Sequence, residues 1–243
     1  LMIEYSTVSK IGTRLINEDT IKVLNKNNNF VFTVCDGLGG HKMGDTASRI
    51  VADCFESYFK RSENLSENLI LEMFDFAQET LLYRKNALHI KNEMCSTAVA
   101  LTIAGENVYS GYIGDSRLYA FENGVFKDRT RDHSLAQLLF EQGEISESEI
   151  NRHFDRNKLI RVMGIPWEKP MYTVLPSVKL KNNQAYLLCT DGFWEWLSVE
   201  EMQGALQKSD SARKWLSLMT ETVERNCGLN PMDNYSAIAV INR

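Results

Sequence analysis

The sequence predicts an α+β fold, in which antiparallel β-sheets carry helices on their outer faces. Three observations lead there. An early apolar strand is followed by two long stretches of helical periodicity. Three strand-like runs then succeed one another with only turns between them. Helical periodicity returns late, and the chain closes on one more strand. Helices and strands do not alternate regularly, which sets aside a doubly wound parallel sheet.

Each element has its own signal. Phe30 to Cys35 is apolar on both alternations and reads as a strand covered on both faces. From about Asp45 to Phe59, Ile50, Val51, Cys54, Phe55 and Tyr58 recur at helical spacing. A second helix is expected from about Ser66 to Leu88, with Ile70, Phe74, Ala77 and Leu81 on one stripe. "STAVALTIA", "NVYSGYIG" and "RLYAFENG" are strand-like, parted by turn signals at Gly105 and around Asp115. Asn123-Gly124 is a hairpin turn pair. "YTVLPSVKL" leads through Asn182-Asn183 into "QAYLLC". Ser198 and Glu201 have capping-box spacing and start a helix, and another covers roughly Ser211 to Asn226. "SAIAVI" is the last strand. The polar segment from about Gly143 to Arg161 holds a second capping pair, Ser146 and Glu149.

The 243 residues contain no repeat, low-complexity tract or flexible linker, so one domain spanning 1–243 is expected. The net charge of −5 argues against a nucleic-acid partner, since such binders present a basic surface. The five cysteines are odd in number and form no CxxC pair, which disfavours disulfides and structural zinc. No apolar run is long enough to span a bilayer. The N-terminal "LMIEYSTVSKIG" lacks a basic region followed by an apolar stretch, so it is not read as a signal peptide. A cytoplasmic protein with reduced thiols is expected.

The chemistry-bearing residues are aspartates at strand ends. "VCDGLGG", "YIGDSR" and "LLCTDGFW" each run an apolar strand into an Asp at or beside a glycine: Asp36, Asp115 and Asp191. Asp233 in "PMDNYS" stands just before the terminal strand, and Glu18-Asp19 precede another strand-like run. Any one of these is ordinary turn material. Together, carboxylates led to sheet ends by buried backbone repel one another unless a cation lies between them. Oxygen ligands without His or Cys select Mg²⁺ or Mn²⁺. A glycine after Asp36 lets the backbone carbonyl approach such an ion, and Gly39-Gly40 leave room for an anion.

These stretches resemble the metal-dependent PP2C-type (PPM) protein Ser/Thr phosphatases in their short bacterial form. "GTRLINED", "DGLGGHKMGDTAS", "GDSRLY", "RDHS", "LIRVMG", "CTDGFWEWLS" and "DNYSAIAV" follow in the family's order over nearly the whole chain. The resemblance implies an αββα sandwich of two antiparallel sheets with a dinuclear Mn²⁺ or Mg²⁺ site at one end. It implies that Asp36 bridges two ions and that the Gly37 carbonyl reaches one of them. It gives Asp191 and Asp233 to the first ion. Glu18 would bind water on the second, supported by Asp19, and Asp115 with Asp191 would make a weaker third site. Arg14 would grip the substrate phosphate, and a flap would occupy about residues 143–165. Phosphorylated Ser/Thr proteins would be the substrates, set by a cognate kinase pathway, and a monomer is expected.

Other residues are read conservatively. Cys35 and Cys189 are expected as small core residues, His133 as structural, and Phe193, Trp194 and Trp196 as packing beside the site. Leu38 holds the position of a histidine proposed as general acid in eukaryotic members, and Ile160 a position where threonine is more usual. His41 is the nearby histidine, expected to pack or cap rather than donate a proton. A cysteine-based phosphatase needs an Arg six residues beyond its Cys. Those positions hold His41, Lys60, Leu101, Glu195 and Asp233. The alternatives are a non-catalytic phosphoprotein-binding module on the same fold, or another two-metal phosphoesterase such as a nuclease.

Overall fold

The computed structural model describes residues 2–243 except 39–42, 64, 67, 92 and 152, with backbone only at 147 and 148. The expectations for Gly39, Gly40 and His41 therefore lie outside the described residues. The elements run β1 (Ile3–Lys10), β2 (Asp19–Lys26), β3 (Asn29–Leu38), α1 (Gly44–Arg61) and α2 (Asn68–Ala87). Then come β4 (Cys95–Ser96), β5 (Ala98–Ala104), β6 (Asn107–Ile113), β7 (Arg117–Glu122) and β8 (Val125–Arg129). After α3 (Leu135–Glu141) and α4 (Glu147–Ile150) follow β9 (Thr173–Lys179) and β10 (Gln184–Cys189). The chain ends with α5 (Asp191–Trp194), α6 (Val199–Gln207), α7 (Ala212–Cys227) and β11 (Tyr235–Asn242).

The strands form two antiparallel sheets. One has the order β1-β11-β10-β7-β8, the other β2-β3-β5-β6-β9, with β4 paired to the end of β3. Period-2 alternation sorts their side chains into three cores. Phe30, Phe32 and Val34 of β3 meet Leu188, Ile238 and Val240 between the sheets. Val31 and Cys35 of the same strand face α1 and α2 with Val51, Phe55, Phe74 and Leu81. Leu187, Cys189, Ala237 and Ala239 face the late helices, where Trp215, Leu216 and Met219 of α7 cover them. The layers are thus helix, sheet, sheet, helix, and β3 is buried on both faces as its composition requires.

Local signals carry through. Asn123 and Gly124 both adopt positive φ (53° and 74°), the geometry of a tight hairpin turn between β7 and β8. Ser198 accepts from the Glu201 backbone N–H while the Glu201 carboxylate accepts from the Ser198 N–H at 2.9 Å, closing a capping box. Ser146 and Glu149 do the same for α4. Sequence reasoning left β1, α3 and α5 unread. β1 divides its apolar residues between faces: Val8 packs toward the late helices and Ile3 toward the inter-sheet core. α3 and α5 are two turns or fewer, too short for a periodic stripe.

Register gives the fold its polarity. The C-terminal ends of β3, β6 and β10 and the N-terminal ends of β2, β7 and β11 all lie at one end of the sandwich. Every acidic residue singled out above is at that end.

Candidate metal centre

Asp36 is two residues before the end of β3 and stands directly opposite Asp19 at the start of β2. Its backbone is fixed on three sides. The Asp36 N–H donates to Thr97 Oγ1 at 2.9 Å, and its carbonyl accepts from the Thr97 N–H at 2.8 Å and from Ser96 Oγ at 3.1 Å. Thr97 Oγ1 also lies 2.7 Å from Ser116 Oγ, so one side chain ties the Asp36 loop to the turn that carries Asp115. The Asp115 carbonyl in turn accepts from Trp194 Nε1 at 3.0 Å.

Asp19 is buried, with Oδ2 accepting from Thr190 Oγ1 at 2.9 Å. Its Oδ1 is buried without a hydrogen-bond partner among the described residues. Asp191 opens α5, directly after β10 and Thr190. Glu18 is held by its main chain: its N–H donates to Asn234 Oδ1 (2.8 Å), and its carbonyl accepts from Ser48 Oγ (2.6 Å) and the Gly37 N–H (3.1 Å). Asn234 also donates through Nδ2 to the carbonyls of Ile11 (2.8 Å) and Ile16 (3.0 Å), clasping the loop that bears Arg14.

The glycine after Asp36 has a packing reason. A Cβ on Gly37 would stand 2.0 Å from the Gly44 carbonyl oxygen, and one on Gly44 would stand 2.4 Å from a Glu18 carboxylate oxygen. No side chain fits where the start of α1 closes on this turn. Arg14, largely exposed at the mouth, donates from Nη2 to Asp233 Oδ2 at 2.6 Å. That contact, more than any other, holds the guanidinium in its charged form.

The electrostatics are those of crowded carboxylates. Withdrawal from water pushes Asp36 well above its ordinary range, and the charges of Asp19, Asp191, Asp115 and Asp233 push it further. Burial likewise raises Asp115 strongly, with Asp191 adding to it. Burial takes Asp19 to about 7 and Asp191 to about 6, with neighbouring aspartates contributing to both. Burial first and then Asp45 raise Glu18. Among the described residues no three acidic, thiol or imidazole groups already close on one point as a finished cage. The fold gathers the oxygens, while Asp233 is turned toward Arg14. The donor set is all oxygen, mutually repelling and partly unpaired, which fits hard divalent cations.

Of the residues read conservatively, six are seen in their surroundings: Phe193, Trp194, Trp196, His133, Cys35 and Cys189. Phe193 and Trp194 are buried, and Trp196 packs against the same core. His133 stacks on Tyr112, accepts the Gly114 N–H at Nδ1 (3.2 Å) and lies 3.0 Å from Thr173 Oγ1. All five cysteines are free and buried, and burial drives the Cys35 and Cys189 thiols far up.

A family model described as protein phosphatase 2C matches residues 8–232. The serine/threonine phosphatase stp of Listeria welshimeri is 31% identical over 202 residues, covering 80% of this chain and 79% of the relative. Stp1 from Staphylococcus aureus, a serine/threonine phosphatase, superimposes with a TM-score of 0.88 at 25% identity, over 100% of this chain and 96% of the other. The catalytic domain of the phosphatase PstP, solved in complex with two manganese ions, gives 0.81 at 23% identity over 98% and 97%. With two antiparallel sheets between helices and an acidic cluster at one end, this chain belongs to the protein phosphatase 2C family.

Proposed function

We propose that this protein is a metal-dependent phosphatase that hydrolyses phosphoserine and phosphothreonine in proteins. The observation that carries the reading is Asp19, Asp36, Asp115, Asp191, Asp233 and Glu18 at one end of the sandwich, with Arg14 at its mouth. Asp36 would hold two Mn²⁺ or Mg²⁺ ions between itself and its neighbours, with the Gly37 carbonyl, Asp191 and Asp233 completing the set. Glu18 would act through water with Asp19 behind it, and Asp115 with Asp191 would serve a weaker third ion. Bound there, divalent ions acidify water and offset the charge of a transferring phosphoryl group.

The chain's own residues do the rest. Thr97 and Ser96 fix the backbone that carries Asp36, and Thr190 holds the Asp19 carboxylate, so that the cluster need not reorganise. The planar Arg14 fork matches two phosphate oxygens, which a Lys would not. No cysteine serves as nucleophile, because the thiols are buried and held protonated. Residues 143–165 would form a flap within a single domain over 1–243. The segment meets its surroundings through Arg156–Glu195 (2.5 Å) and Asn151, whose Oδ1 accepts from Arg117 at 3.2 Å.

Among the described residues no helix is long and apolar enough to cross a membrane. We place the protein in the cytoplasm as a monomer, opposing a Ser/Thr kinase; the free cysteines support a reducing compartment. The deciding experiment is turnover of a phosphothreonine peptide with Mn²⁺, with and without chelator. Chelator-sensitive release of phosphate is expected. Turnover that survives the chelator, or none with metal, would refute the reading.

A further inference from the structure

Beside Arg14 lies a groove of about 470 Å³ that the catalytic arrangement does not use. It is bounded by the loop after β1 and by the end of α7 with the turn that follows. Ile11, Cys227, Met232 and the Tyr235 ring give it an apolar lining. Its rim carries one cation and one anion, Lys10 and Glu224. They are paired at 2.5 Å, and Tyr235 donates its hydroxyl to Glu224 at 2.9 Å. The rim therefore offers a charged visitor no unpaired partner in Lys10 or Glu224, while an apolar one finds a surface to cover.

The groove is continuous with the site. Its wall residue Thr13 precedes Arg14, and Met232 precedes Asp233. The two walls are fastened together. The Thr13 N–H donates to the Met232 carbonyl and the Met232 N–H to Thr13 Oγ1, both at 2.9 Å. Gly12, at φ 62°, lies so close that a Cβ would stand 2.2 Å from the Asp233 carbonyl oxygen. The groove is thus preformed and held in register with the phosphate-facing arginine. Leu15 and Leu229, on the two loops flanking Arg14, are fully exposed large apolar side chains.

Resting on the phosphatase reading above, we propose that this groove is a specificity subsite: it takes the apolar side chain of a residue close in sequence to the phosphorylated Ser or Thr. A peptide advances at most about 3.3–3.6 Å per residue, so a segment anchored by its phosphate at Arg14 lays its near neighbours along the groove. A volume of this size accommodates a large aliphatic or aromatic side chain. Leu15 and Leu229, exposed beside it, offer further apolar surface to the same peptide.

The test compares two families of phosphothreonine peptides, with leucine or with aspartate at the positions flanking the phosphorylated residue, and p-nitrophenyl phosphate, which has no flanking residue to place in the groove while its phosphate is held at Arg14. The wild-type protein with Mn²⁺ should favour the leucine peptides by about tenfold or more in kcat/KM, the size of a single apolar contact. Ile11→Asp should collapse that ratio toward one with p-nitrophenyl phosphate turnover within about twofold of wild type, the aryl ester lacking the contact. Leu229→Ser, at a fully exposed position that leaves folding untouched, should reduce the ratio in part. Equal turnover of both peptide families by the wild-type protein would overturn the subsite and leave the phosphatase reading standing, as would a ratio unmoved by both substitutions. Absence of turnover on every phosphoester would remove the phosphatase reading, and the subsite with it.

Discussion

Arg14 and Asp233 form an ion pair at 2.6 Å across the mouth of the acidic cluster. The residue proposed to hold phosphate and one proposed to hold metal thus neutralise each other when neither ligand is bound. An arriving cation and an arriving phosphate each draw away one member, so binding of either frees the partner for the other. Arg14→Ala should raise KM for a phosphopeptide and lower kcat. The combined loss in kcat/KM should be about 10- to 100-fold, the worth of a charge-assisted hydrogen bond of about 1.5–3 kcal/mol. Its Mn²⁺ affinity should not fall, because Asp233 is released. Unchanged kcat/KM would place Arg14 outside the site.

Asp36→Asn separates catalysis from folding. Asp36 faces Asp19 in register and lies in the field of three other aspartates. Like charges directly opposed across strands are destabilising. The amide should reduce turnover to background yet raise the melting temperature of the chelated protein at pH 8. Retained activity at saturating Mn²⁺, or a lower melting temperature, would contradict the assignment.

The chelated protein should lose stability as pH rises. Asp19 and Asp191 are raised to about 7 and about 6, and Asp36 and Asp115 well above their ordinary values. Carboxyls with raised folded values contribute fully below their unfolded value of about 3.9, and that contribution is lost as pH rises through the folded values. The metal-free melting temperature should fall from pH 5 to pH 8. Mn²⁺ should abolish that fall. Thermal scans with and without chelator decide it; a flat metal-free profile would count against a buried, mutually repelling cluster.

His133 should act in the opposite sense. Burial, aided by Arg161, lowers it to about 4. A histidine with a depressed folded value contributes stability above its unfolded value of about 6.5, and that contribution is lost as pH falls from there toward the folded value of about 4. Urea titrations under saturating Mn²⁺ should show wild type losing about 2 kcal/mol more than His133→Gln between pH 7 and pH 5. Equal losses would show that this imidazole takes up its proton without cost.

Thr97→Val removes the acceptor of the Asp36 N–H and the partner of Ser116 at once. It should cost about 1–3 kcal/mol of stability, the penalty for an unsatisfied buried donor. kcat should fall through displacement of Asp36. Thr97→Ser keeps the hydroxyl and should restore most of both. A Thr97→Val protein with wild-type stability and kcat would refute the role of the hydroxyl, since valine keeps the methyl beside Gly114.

The sheet and helix layers were legible because β3, β10 and β11 are apolar on both alternations and the long helices carry clear stripes. β1 was not, since its apolar residues serve different cores. The carboxylates were legible because strands deliver them beside glycines. Thr97, Thr190, Asn234 and Trp194 were not, although they position those carboxylates. They work through hydrogen bonds to backbone or side chain across long sequence separations, and isolated polar residues leave no period or spacing to detect. Gly37 was legible as a special position, but its crowding against Gly44 needs the third dimension. The reading of His41 lies beyond the described residues.

β1 pairs along its whole length with β11, from Ile3 opposite Asn242 to Lys10 opposite Tyr235, and β11 lies between β1 and β10 in its sheet. Arg14 and Asp233 meet across a separation of 219 residues. On a translating ribosome, at about 5–20 residues per second, the first strand therefore waits on the order of ten to forty seconds for its neighbour. During that interval it is an open edge. The acidic end cannot be assembled from any nascent fragment that lacks Asp233 and β11. The proposed activity waits on the synthesis of Asp233 and β11, so a stalled or truncated product that lacks them is inert toward cellular phosphoproteins.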